Sequence, residues 1–216
     1  MRKEEEIEID NDIGERIISH AEKIADLVRE SANRIRQEGT QDQIKKMIEM
    51  IMGIYGTNHK IFTVGEGRSG FVAKAFAMRL MHLGFNAFVI GETTTPGVEQ
   101  GDVVIAISGS GTTKTVIAAC QIVISEEVGA KLIAITSKKD STLARIADLV
   151  IDLPGRKGLI PTHDYLEKTL KRSFPQVPLG TVFETNAGIF CDGVISELMS
   201  LTRTTEEKMQ RRHAKK

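Results

Sequence analysis

The sequence predicts an α/β protein: a three-layer αβα sandwich built on a five-stranded parallel sheet, with additional helices at the N-terminus. Five short apolar runs alternate, for the most part, with helical patterns, and this is the order that a parallel sheet between helices requires. The runs are almost continuously apolar, which is typical of strands covered on both faces. The 216 residues, 41% of them hydrophobic, are sufficient for one such domain with extra helices.

The predicted helices and strands follow from the spacing of the apolar residues. Between positions 13 and 35 these recur every three or four residues, and a second helix is predicted to follow Thr40 and to end at Gly56. The predicted strands are 60–64, 86–90, 102–107, 131–136 and 148–153. The predicted helices after the first strand are 69–83, 112–128, 140–146 and 181–202.

We expect one domain over residues 1–216, made of N-terminal helices (1–56), a parallel α/β core (60–153), an excursion (155–180) and a C-terminal helix and tail (181–216). The excursion is predicted because the periodicity fails there and prolines interrupt the segment. We interpret it as either a lid or a surface loop. The tail beyond residue 202 is strongly charged, and we expect it to fray.

Composition argues against several classes of function. Basic and acidic residues balance at 29 each, so the chain has no overall field that would attract nucleic acid or a membrane. The N-terminal ten residues lack the apolar segment of a secretory signal, and no run approaches the roughly 20 apolar residues of a membrane span. Cys120 and Cys191 lie in apolar helical patterns, which indicates buried free thiols and a cytoplasmic protein. The histidine spacing suggests no metal site.

A glycine-rich loop follows the first predicted strand. Gly65, Gly67 and Gly70 form the pattern G-x-G-x-x-G, which is typical of nicotinamide dinucleotide sites when it joins a strand to a helix. Glu92, at the end of the second strand, stands about where a ribose-binding acid would be. The alternative is a tight strand-to-helix turn that requires glycine for its backbone alone.

A second loop, SGSGTT, follows the third predicted strand and favours a smaller ligand. Ser108, Ser110 and Thr113 place hydroxyl groups where backbone amides and the start of a helix also favour an anion. The alternative is that these residues only cap the helix, although a cap needs a single hydroxyl. If strands one and three are neighbours, this loop and Ser69 can bind one sugar phosphate together.

Four stretches carry a resemblance to a known family: GEGRSG, AMRLMHLGFNAFVIGETTTP, ISGSGTT and LGTVFE. Together they resemble the sugar isomerase (SIS) domain family from about Ile61 to Leu198, with an interruption at 155–178. The resemblance implies a five-stranded parallel sheet between helices. It also implies the interconversion of 3-hexulose 6-phosphate and fructose 6-phosphate without a cofactor, in a homotetramer. The 155–178 segment is longer than the family pattern, which leaves the substrate open.

Glu184 is the candidate catalytic base, because moving a carbonyl between neighbouring carbons requires a group that removes a carbon-bound proton. Its spacing from Ala187, Gly188 and Cys191 places it on the apolar face of the last helix, where partial burial would raise its pKa. The family resemblance assigns proton transfer to this glutamate. The alternative is a capping box in which the carboxylate binds the amide of Thr181.

His213 and Arg68 complete the candidate site. Composition alone predicts that His213 belongs to a solvated basic tail, whereas the resemblance implies that it reaches into the site of a neighbouring subunit and moves protons there. Arg68 is expected either to bind phosphate or a sugar hydroxyl or to form a surface ion pair. Glu66 departs from the family pattern, in which a small or apolar residue is expected at that position. A carboxylate there would repel phosphate unless it points away or is paired with a basic residue. His82 is expected to be buried.

Three rivals to this isomerase remain open from sequence. One is an aldose–ketose isomerase for another phosphosugar, and one is a non-catalytic sensor of sugar phosphates. The third is a nicotinamide oxidoreductase, which would depend on the first glycine loop alone.

Overall fold

The computed structural model describes residues 11–37, 40–155, 177–178 and 180–213. Its helices and strands are, in chain order, α1 (Ile13–Gln37), α2 (Gln41–Gly53), β1 (Lys60–Val64), α3 (Gly67–Leu83), β2 (Asn86–Val89), β3 (Val103–Ile107), α4 (Lys114–Val123), β4 (Lys131–Thr136), α5 (Thr142–Ile146), β5 (Leu149–Asp152), α6 (Thr181–Thr202) and α7 (Glu206–Arg212).

The five strands form one parallel sheet in the order β2-β1-β3-β4-β5, which confirms the predicted fold class. β1 pairs with β2 on one side and with β3 on the other, with Thr63 opposite Val89 and Ile105. The chain therefore reverses its direction of winding between β1 and β3. In a doubly wound sheet this switch point opens a crevice beyond the carboxyl ends of the two strands.

Alternate residues of each strand enter two separate apolar layers. Ile105 belongs to the core beneath α2, α3 and α6, and it is fully buried. Its neighbour Ala106 belongs to the core beneath α4 and α5. Helices therefore cover both faces of the sheet and form a three-layer sandwich. This arrangement explains why the strands are almost continuously apolar in sequence.

Several predicted boundaries change in the structure. α4 ends at Val123 and the helix does not continue to residue 128, because a turn with hydrogen bonds from Val128 and Gly129 to Ser125 follows it. α2 ends at Gly53, and Gly56 takes its positive φ of 74° in the turn beyond the helix. α5 begins at Thr142, capped by Ser141. The predicted excursion lies almost wholly outside the described residues.

The expectation that the tail frays is wrong for residues 206–212, which form α7. The Thr205 side chain accepts a hydrogen bond from the amide of Lys208, with acidic residues in the first turn and basic residues in the last. Met209 is 7% exposed and packs into the main core. Arg212 donates a hydrogen bond to the carbonyl of His82 at 3.0 Å, so α7 is fixed to the end of α3.

Two further sequence expectations can be compared with the described part of the chain. Cys120 and Cys191 are both buried free thiols, and burial raises the pKa of Cys120 to about 12. Among the described residues, no helix combines the length and the apolar character needed to cross a bilayer.

Candidate active site

A cavity of about 370 Å³ opens beyond the carboxyl ends of β1, β3 and β4, at the switch point of the sheet. Five residues predicted from sequence to form the site line it together, namely Ser69, Ser108, Ser110, Thr113 and Glu184. Residues that sequence reasoning did not assign to the site also line it, among them Ser137, Lys138, Gly155, Gly180 and Phe183.

The hydroxyl groups of the second loop contact one another and do not serve as caps. Ser108 Oγ lies 3.3 Å from Thr113 Oγ1, and the amide and hydroxyl of Thr112 both donate to Ser110 Oγ. Thr113 is the N-cap residue of α4, yet its side chain makes no capping hydrogen bond. The capping alternative is therefore wrong for Thr113, and three hydroxyl-bearing side chains remain at the cavity beside the start of a helix.

The first glycine loop is a tight turn between β1 and α3. A β-carbon at Gly65 would stand 2.7 Å from the carbonyl oxygen of Ser69, so the helix starts in direct contact with the end of the strand. Glu92, the candidate ribose ligand, forms an ion pair with Lys74 at 2.6 Å. The structure thus gives both features an explanation that needs no dinucleotide.

Glu66 does line the cavity, at the N-cap position of α3. Its Oε2 accepts a hydrogen bond from Thr115 Oγ1 at 3.0 Å, which fastens the carboxylate to the first turn of α4. The cavity therefore carries a negative charge from Glu66 in addition to that of Glu184.

Glu184 presents a carboxylate with no hydrogen bond from any described residue to its inner oxygen. The side chain is 15% exposed, and Oε2 is buried without a hydrogen-bond partner in the described part of the chain. Burial raises the pKa of this carboxyl above its ordinary value, and the backbone hydrogen bond and Arg68 oppose that shift. A carboxylate of raised pKa at the wall of a cavity is suited to remove a proton near neutral pH.

The capping-box alternative for Glu184 is wrong. It requires Thr181 to be the N-cap residue, whereas Thr181 is already the first residue of α6. The N-cap residue is Gly180, whose φ is 88°, and glycine has no side chain with which to cap the helix. The amide of Thr181 donates to the carbonyl of Pro178 at 3.2 Å. The Glu184 carboxylate therefore does not accept a hydrogen bond from the Thr181 amide. Glu184 instead lines the cavity.

Arg68 lies behind the carboxylate, outside the set of residues that line the cavity. Its Nη1 donates to Thr181 Oγ1 at 3.1 Å, and its Nε is 4.0 Å from Glu184 Oε2. The guanidinium thus connects the first turn of α3 to the first turn of α6. A phosphate or hydroxyl contact for Arg68 stays a prediction.

His213 lies at the other end of α3 within its own chain. Its ring centroid is 5.0 Å from that of His82, whereas the cavity is lined by Ser69 in the first turn of α3, about 20 Å from His82 along the helix. His82 is 3% exposed, as expected, and burial lowers its pKa, with His213 and Arg79 adding to the effect. A role for His213 in a neighbouring subunit stays a prediction.

The described residues contain no cluster of three or more His, Cys, Asp or Glu side chains that is placed to hold a metal ion. The chemistry that the cavity offers is thus that of hydroxyl donors, two carboxylates and a lysine around a space large enough for a phosphorylated sugar.

Comparison with known proteins assigns the chain to a family. The SIS domain matches residues 54–159, and the chain belongs to this family of sugar isomerase domains. A Bacillus subtilis protein named 3-hexulose-6-phosphate isomerase is 40% identical over 158 residues, which cover 73% of this chain and 80% of that protein. An uncharacterized Aeropyrum pernix protein is 43% identical over 173 residues, covering 80% of this chain and 81% of its own.

A solved structure shows the same architecture. The crystal structure of a Methanococcus jannaschii protein, for which the function of 3-hexulose-6-phosphate isomerase was inferred, superposes with a TM-score of 0.71 at 31% identity. The match covers 91% of this chain and 98% of that one. The family resemblance drawn from the sequence motifs is thereby confirmed.

Proposed function

We propose that this chain is a phosphosugar isomerase that interconverts 3-hexulose 6-phosphate and fructose 6-phosphate through an enediol. The observation that carries the proposal is the geometry of one cavity. A partly buried carboxylate, Glu184, and the hydroxyl loop 108–113 line the same space of about 370 Å³. The relatives that bear this enzyme's name support the choice of substrate.

The hydroxyl loop binds the phosphate. Ser108, Ser110 and Thr113 donate hydrogen bonds to the phosphate oxygens, and the N-terminus of α4 adds its dipole. Binding at the phosphate end fixes the sugar chain across the cavity, so that its carbonyl carbons lie beside Glu184. Orientation of this kind supplies a large part of the rate of a proton transfer.

Glu184 then moves one proton between neighbouring carbons. With fructose 6-phosphate, the carboxylate removes the proton from C3, and the electron pair forms the C2–C3 double bond of an enediol. Return of the proton to C2, with transfer of the C3 hydroxyl proton to the C2 oxygen, gives the 3-ketose. Atoms and electrons balance within the one molecule, so the reaction consumes no oxidant.

The same proposal assigns His213 to the site of a neighbouring subunit in a homotetramer. Within its own chain the His213 ring packs against that of His82 at the far end of α3, with the two planes tilted by 35°. A function at the cavity therefore requires another copy of the chain. An imidazole there would move the proton between the two oxygens of the enediol, since one ring nitrogen can accept a proton while the other donates one.

One labelling experiment tests the proposal against its rivals. The protein is incubated with fructose 6-phosphate in heavy water, and deuterium at each carbon is followed by NMR. We expect deuterium at C3 together with a new 3-ketose. Deuterium at C1 alone would assign the protein to the aldose–ketose isomerases, and binding without any exchange would make it a sugar-phosphate sensor.

A further inference from the structure

The carboxylates in the cavity wall would repel a phosphorylated substrate unless a positive charge offset them. Glu66 and Glu184 contribute carboxylates, and among the described residues that line the cavity Lys138 is the one cation. A phosphate monoester brings nearly two further negative charges at neutral pH. Hydroxyl and amide donors satisfy its oxygens, but they supply no net positive charge.

Lys138 is fixed next to the hydroxyl loop by its neighbour in sequence. β4 ends at Thr136, and Ser137 then donates two hydrogen bonds to the carbonyl of Gly109, from its amide at 3.2 Å and from its hydroxyl at 2.7 Å. Gly109 lies between Ser108 and Ser110. The backbone of residue 138 therefore starts one residue away from the loop that we assign to phosphate.

The two adjacent lysines differ in their surroundings. Lys139 forms an ion pair with Asp152 at 3.3 Å and lines a different depression on the surface. Lys138 is exposed at the cavity and forms no ion pair with any described residue. A solvated ammonium group on a flexible stem can approach a bound phosphate as a point charge.

We propose that Lys138 is the counter-ion of the substrate phosphate and selects phosphorylated over unphosphorylated sugars. The inference rests on the proposed function and deepens it, since it names the group that discriminates the ligand class. Lys138 acts on binding and takes no part in the proton transfer, so its loss should leave the chemical step intact.

The test compares Lys138→Gln with Lys139→Gln as the matched control. For Lys138→Gln we expect a KM for fructose 6-phosphate about tenfold higher, because a charge-assisted contact is lost, with kcat within about twofold of the wild type. Lys138→Arg should keep most of the affinity. Lys139→Gln should leave KM unchanged. Equal KM values for the wild type and Lys138→Gln, or an equal loss in both glutamine variants, would overturn the inference.

Binding of inorganic phosphate, measured by calorimetry without turnover, separates this inference from the proposed function. We expect Lys138→Gln to weaken phosphate binding and to reduce its dependence on salt, whereas Lys139→Gln does neither. This result would support the role of Lys138 even if fructose 6-phosphate were not isomerised. Unchanged phosphate affinity in Lys138→Gln would overturn it even in an active isomerase.

Discussion

The carboxylate of Glu184 lies against the α-carbon of Gly180, so closely that a β-carbon at position 180 would stand 2.8 Å from Oε2 and 2.9 Å from Oε1. Gly180 also has φ of 88°, in the region that favours glycine. The N-cap residue of α6 thus serves two purposes. It permits the left-handed turn, and it leaves room for the proposed base.

Replacing Gly180 with alanine tests this arrangement. The new methyl group would displace the carboxylate from the cavity wall, and the left-handed backbone would cost about 1–2 kcal/mol. We expect a large fall in kcat with a smaller change in KM, measured on fructose 6-phosphate. Gly193→Ala is the matched control, since nothing lies within 4 Å of its β-carbon position in the same helix. An active Gly180→Ala enzyme would contradict the account.

Glu184→Gln should lower the activity of the enzyme but raise its stability at pH 8. The raised pKa means that the folded state binds a proton more readily than the unfolded state does. The contribution of this group to stability is therefore fully present below its unfolded pKa and is lost as pH rises through the folded-state pKa. We expect the neutral glutamine to raise the Tm at pH 8 relative to the wild type, and the difference to shrink at acid pH. A lower Tm at pH 8 would argue against a desolvated carboxylate.

Arg68→Gln should shift the pH profile of the enzyme. The guanidinium lowers the pKa of Glu184 against the larger effect of burial, so its removal raises that pKa further. We expect the acid limb of kcat/KM to move to higher pH, because the base must be ionised to act. Lys74→Gln, on the same helix but paired with Glu92, should leave that limb in place. Coincident acid limbs in the wild type and Arg68→Gln would exclude this role.

Mixed assemblies test whether His213 acts in another subunit. Glu184→Gln and His213→Ala chains are each expected to be nearly inactive. When the two are dissociated and reassembled together, some sites receive an intact Glu184 from one chain and an intact His213 from another. We expect partial recovery of turnover above that of the two separate variants. The absence of recovery, or full activity of His213→Ala alone, would remove the shared site.

The fold could be predicted from the sequence because a strand that is covered on both faces is apolar at almost every position. Val103 to Ile107 are all buried, alternately against two layers of helices, and such a run is visible without any structure. The hydroxyl loop was also visible, since Ser108, Ser110 and Thr113 lie within six residues after a strand. Adjacency of β1 and β3 then brought Ser69 to the same cavity.

The remaining site residues depend on contacts between distant segments. Ser137 and Lys138 reach the cavity because β4 pairs with β3, and nothing in the local sequence marks them. Helix α7 is a different case, because a signal existed. Thr205, followed by acidic and then basic residues, is a well-formed capping pattern, and the high charge of the tail concealed it.

The most direct test of the central claim is the rate at which deuterium from heavy water enters C3 of fructose 6-phosphate, measured for the wild type and for Glu184→Gln. Phosphate binding by calorimetry ensures that the variant retains its ligand site. We expect exchange at C3 in the wild type and at least a hundredfold slower exchange in the variant, since a general base contributes about 10²–10⁴-fold. Undiminished exchange in Glu184→Gln would contradict it.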